Sequence, residues 1–101
     1  MEGIYLMHIR EFIKSNENIF KLCNSIDMQK QIQNHPNGSE VLLKIKCNKS
    51  KECKRYIINL FKVKFTQKKY YGNKYFEGNK DDMISEINKY VFLFNNIVEN
   101  N

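Results

Sequence analysis

The apolar positions change their period along the chain. Residues 3–9, GIYLMHI, make a nearly unbroken β-branched and aromatic run, which predicts a strand. The polar stretch REFIKSNEN that follows predicts a loop or a short helical turn. Residues 19–23, IFKLC, predict a second short strand, reached by a long hairpin connection through Ser15–Asn18. Residues 27–34, DMQKQIQN, predict a short helix capped by Ser25 or Asp27. Pro36 and the turn pair Asn37-Gly38 stop it.

Residues 40–47, EVLLKIKC, predict a third strand with one buried and one wet face, because Leu43, Ile45 and Cys47 alternate with Lys44 and Lys46. From residue 50 to 65 the period becomes helical, with Cys53, Tyr56, Ile57, Leu60 and Phe61 on one stripe. The stretch 66–78 predicts a loop with one short extended piece. Residues 79–99 predict the last helix, with Met83, Ile87, Tyr90, Phe94 and Ile97 as its core stripe. Asp81 and Asp82 suit its positive N-terminal end. The sum is one antiparallel α+β domain over residues 1–99, a three-stranded sheet flanked by three helices.

At 101 residues and 42% apolar content the chain can bury one core and has no room for a second. No apolar run approaches the roughly 20 residues of a membrane span. Charged residues within MEGIYLMHIR argue against a secretory signal. Cys23, Cys47 and Cys53 are odd in number and match neither a disulfide framework nor a zinc knuckle. They predict buried free thiols and an intracellular, reducing compartment.

Charge changes the picture more. Fifteen Lys, fourteen Asn, twelve Ile and no Ala are what A/T-rich codons encode, so lysine content alone carries little weight. Its distribution carries more. Residues 44–74 hold eleven cations and one acid, Glu52, for a charge of +10, whereas the remainder carries −4. Codon bias does not remove acids from one segment and gather them elsewhere. Lys44, Lys46, Lys54, Arg55, Lys62, Lys68, Lys69 and Lys74 therefore predict a basic surface for a phosphate backbone. Tyr70, Tyr71, Tyr75 and Phe76 interleave with these lysines, either to stack on bases or to plug the sheet.

Four segments in order carry a resemblance: Gly3-Ile4-Tyr5, Ile19-Phe20-Lys21-Leu22-Cys23, Gln31-Ile32-Gln33-Asn34-His35-Pro36 and Gly72-Asn73-Lys74-Tyr75-Phe76-Glu77-Gly78. Together they resemble the GIY-YIG nuclease superfamily over roughly residues 3–88, closest to the small phage and giant-virus branch of DNA-binding domains. The resemblance implies a phosphodiester-cleaving site with one divalent metal, Mg²⁺ or Mn²⁺. Tyr5 would match the first tyrosine, Glu77 the metal-holding carboxylate, and His35 a Tyr-or-His position one turn after an arginine. Phe20 stands at the second tyrosine position without a hydroxyl, Cys23 replaces a glycine, Asn24 replaces a frequent Arg, and Gln31 takes the place of the arginine. Gln offers no charged bidentate fork to phosphate, a loss typically worth a factor of roughly 10²–10³ in rate.

The expectation is thus a degenerate GIY-YIG-like DNA-binding domain with little or no nuclease activity and no small-molecule cofactor. Two alternatives stand beside it. One is an active metal-dependent endonuclease using Tyr5, His35 and Glu77, with Lys21 or Lys30 as substitute cation. The other is a viral accessory domain that works through protein contacts.

Overall fold

The computed structural model describes residues 1–99. Its elements are β1 (Gly3–His8), α1 (Arg10–Lys14), β2 (Ile19–Ser25), α2 (Met28–Ile32), β3 (Glu40–Lys46), α3 (Ser50–Lys64), β4 (Thr66–Gln67), β5 (Tyr75–Glu77) and α4 (Lys80–Glu99). The strands form one antiparallel sheet in the order β3-β1-β2-β5-β4.

The α+β class holds, but among the described residues the sheet has five strands rather than three, and there are four helices rather than three. The additions are all short. Residues 10–14 form a helix of five residues with a single buried side chain, Phe12, so no 3.6-residue stripe can develop in it. β4 and β5 have two and three residues, too few to display alternation. They exist because β5 pairs with β2, through Ile19↔Glu77, Phe20↔Phe76 and Lys21↔Tyr75.

β1 runs between β3 and β2 and is buried on both faces, which is why its sequence is apolar without alternation. Ile4 and Leu6 turn to one face, with Phe20 and Leu22 of β2 and Phe76 of β5. There they meet Cys53, Ile57 and Phe61 of α3 and Met83, Ile87, Tyr90 and Val91 of α4. This is the main core, and it takes most of both predicted helical stripes. Tyr56 and Ile97 are the exceptions and are exposed. The other face of the sheet carries Tyr5, Met7, Ile19 and Cys23 under a smaller cap that includes Phe12 and Met28.

β3 is an edge strand. Leu43 and Ile45 pack against the main core and Cys47 is buried, while Lys44 and Lys46 are exposed opposite Tyr5 and Gly3. Asp27 caps α2 by accepting from the Lys30 N–H at 3.3 Å. The first residue of α3 is capped from outside the helix. Ser50 is buried, and its N–H and its hydroxyl both donate to Glu2 Oε2, at 3.0 and 2.9 Å. That contact ties the start of α3 to the start of β1.

Candidate nucleic-acid interface

Strand β1 sets Tyr5 on the face away from the long helices, with 1% of its surface exposed. His35 follows α2, its N–H donating to the Ile32 carbonyl at 3.2 Å. The turn brings the His35 ring over the phenol, Nε2 lying 3.2 Å from Oη and the ring planes meeting edge-on at 78°. Burial pushes the Tyr5 phenol up, with the Cys23 thiol opposite it on β2 adding to the effect. Burial also pushes the Cys23 thiol up. The His35 imidazole is lowered, first by burial and then by the charges of Lys21 and Lys74. At neutral pH this is an uncharged Tyr–His–Cys cluster with ammonium groups around it.

Glu77 does not join it. Tyr5 is opposite Cys23 on β2 and Glu77 is opposite Ile19, four residues further along. At about 4.8 Å per strand and about 3.3 Å per residue, that register separates their Cα atoms by roughly 16 Å. No single divalent ion is held by carboxylate and phenol across such a gap. Glu77 is exposed and lies 3.8 Å from Lys68 Nζ instead. Among the described residues no group of three metal-ligating side chains comes together.

The strand period also revises Phe20. It points into the main core, 2% exposed, on the opposite face of the sheet from Tyr5. Lys21 of β2 shares the Tyr5 face, between Ile19 and Cys23, and sits 5.7 Å from the centre of the Tyr75 ring. Gln31 stands exposed on α2. Lys74, rather than Glu77, lies beside the Tyr5 rung, its carbonyl accepting from the Leu22 N–H at 2.9 Å.

The cations do come together. Six of them, Lys51, Lys54, Arg55, Lys62, Lys69 and Lys74, line one groove of about 440 Å³ between α3 and the chain joining β4 to β5. Its other lining residues are Ile58, Asn59, Gln67 and Asn73, so no carboxylate faces in. Helical geometry explains the assembly, because positions 51, 54, 55, 58 and 62 fall at three- and four-residue spacings on one side of α3. The Lys54 ammonium is pushed down, first by partial burial and then by Lys74. An anion that settles beside the Lys54 ammonium relieves that cost.

Five of the eight predicted basic residues, Lys54, Arg55, Lys62, Lys69 and Lys74, thus share the groove. Lys68 is engaged with Glu77, and Lys44 and Lys46 lie on β3, at the far edge of the sheet from β4. The predicted set missed Lys51, which α-helical spacing from Lys54 and Arg55 would have found.

No family model matches the chain, and no curated protein or solved structure shows significant similarity to it. Fold and site define a class only: an α+β protein with, among the described residues, a five-stranded antiparallel sheet and a cationic groove along α3 whose lining holds no carboxylate. Cys23, Cys47 and Cys53 are buried free thiols. No helix among the described residues is long and apolar enough to cross a membrane.

Proposed function

We propose that this protein binds nucleic acid, DNA foremost, by laying the phosphate backbone along the α3 groove. The observation that carries the reading is the convergence of six cations and no acid on one concave surface. A concave surface of one sign raises local polyanion concentration and exchanges condensed counterions for lysine and arginine contacts. The GIY-YIG resemblance enters only as far as the Tyr5–His35 pair. Cleavage is not part of the reading, because Lys74 lies near that pair and the acid does not.

Fluorescence anisotropy of a labelled DNA duplex, titrated at several KCl concentrations, tests this. If roughly four to six phosphates are contacted, affinity falls about 10²–10³-fold between 50 and 200 mM salt. Lys54→Glu combined with Lys62→Glu flattens the slope and weakens binding. Absence of binding at low salt, or affinity that ignores salt, overturns the proposal.

A further inference from the structure

We infer that the strand taken by the groove is single-stranded, with the Tyr70 ring as the platform on which one unpaired base stacks. This rests on the nucleic-acid reading above and names its substrate class.

Tyr70 sits in the connection between β4 and β5 and is 93% exposed. A tyrosine in a turn ordinarily lays its ring on the nearest apolar surface. Here Tyr71 has taken that position. Its ring meets Phe12 edge-on at 4.9 Å and Tyr75 at 6.1 Å, beside a cavity lined by Ile9, these three rings, Ser15, Glu11 and Glu17. The Tyr70 ring stands perpendicular to Tyr71, at 89° with centroids 5.2 Å apart, so Tyr71 supports it without covering it.

The loop beneath is tied down. The Tyr71 N–H donates to the Lys68 carbonyl at 3.0 Å, the Gly72 N–H to Lys69 at 3.1 Å, and the Lys68 N–H to Tyr75 at 2.8 Å. The Gln67 side-chain amide donates to the Asn73 carbonyl at 2.9 Å. A platform held this way loses little conformational freedom when a ligand arrives.

Charge and ring are then in register along the chain. Lys69 precedes Tyr70 and Lys74 follows shortly after, and both line the cationic groove. Tyr70 is the chain neighbour of the groove-lining Lys69, so a strand that continues from the groove over this loop meets the exposed ring. A duplex presents phosphates equally well but keeps its bases stacked on one another, so it gains nothing from Tyr70. Every base has a π-face, and stacking of this kind is tolerant of sequence.

The test compares a labelled mixed-sequence single strand with its blunt duplex, at one salt concentration, against the full chain and its Tyr70→Ala and Tyr70→Phe variants. The expected result is tighter binding of the single strand, a loss of roughly 5- to 100-fold for it in Tyr70→Ala, near-complete recovery in Tyr70→Phe, and no change for the duplex. The side chain is almost wholly exposed, so neither variant disturbs folding. Equal losses on both DNA forms, or no loss on either, overturn the inference. If Lys54→Glu with Lys62→Glu weakens both forms while Tyr70→Ala weakens neither, this inference falls and the groove stands. If neither DNA form binds wild-type protein at low salt, the nucleic-acid reading falls with it.

Discussion

The Tyr5 hydroxyl and His35 Nε2 meet at 3.2 Å across thirty residues of chain, on the sheet face that the long helices leave alone. Neither group is charged at neutral pH, and their nearest ionic neighbours in electrostatic reach are Lys21 and Lys74. The phenol is 1% exposed and its hydroxyl is engaged with the imidazole, with no acid beside them. They lack the carboxylate that would hold a metal ion there.

From this arrangement we expect no metal-dependent cleavage. Supercoiled plasmid incubated with the protein and Mg²⁺ or Mn²⁺ should remain supercoiled over the time in which the groove is saturated. Nicking that is lost in Glu77→Ala would restore the endonuclease reading. Glu77→Ala should instead leave DNA affinity unchanged or slightly raised, since it releases Lys68 from its 3.8 Å partner.

His35 makes stability depend on pH. Its folded-state value lies below the ordinary 6.5, through burial first and Lys21 and Lys74 next. The unfolded chain therefore binds the proton more readily, and stability falls as the pH drops below about 6.5 and through the folded value. The lowered carboxyls of Glu2, Glu11 and Glu86 act only below the ordinary carboxylate value of 4.5, in a separate window. Urea midpoints at pH 7.5 and 5.5 should differ in the wild type, and His35→Gln should shrink the difference. An NMR titration of the His35 ring should show its value rising when a polyanion neutralises the neighbouring lysines.

Ser50→Ala should cost about 1–3 kcal/mol, read as a shift in the urea midpoint. Ser50 is 1% exposed and donates twice to Glu2, while its oxygen lies 3.3 Å from the Asn24 amide that donates to it. Removing the hydroxyl strips one bond from the cap of α3 and leaves the Asn24 donor without that acceptor. Glu2→Gln should act in the same direction and by less, because the neutral amide still accepts.

Gly3→Ala should destabilise by about 1–3 kcal/mol at least. A Cβ there would fall 2.2 Å from the Ile45 carbonyl oxygen and 2.6 Å from Met28 Cε. The methionine can swing aside, but the carbonyl belongs to the neighbouring strand, so the β1–β3 ladder must part. Thermal melting of the variant against wild type reads the effect. A melting point unchanged within a degree would show that the strands have room to shift.

Much of this was legible along the chain. The three longer strands and both long helices lie within a residue or two of their expected limits, because each holds enough residues to display its period. Cys53, Ile57 and Phe61 are buried where the helical stripe placed them. The charge asymmetry pointed to the segment that lines the groove. The assignment of Glu77 beside Tyr5 could not be read this way. Which residue of 72–78 approaches β1 depends on the pairing of a three-residue strand with β2, and shifting that pairing changes the neighbour.

The amino-acid order alone therefore determined the α+β class, the buried stripes and the sign of the charge on each segment, since these are local or additive properties of neighbouring residues. Only the tertiary structure decided that Lys74 and not Glu77 borders the Tyr5–His35 pair, that Phe20 faces the core, and that Lys44 and Lys46 lie on the sheet edge opposite β4, outside the groove lining. Those outcomes depend on strand register and strand order, which are settled by long-range hydrogen bonding and packing between segments far apart in the chain.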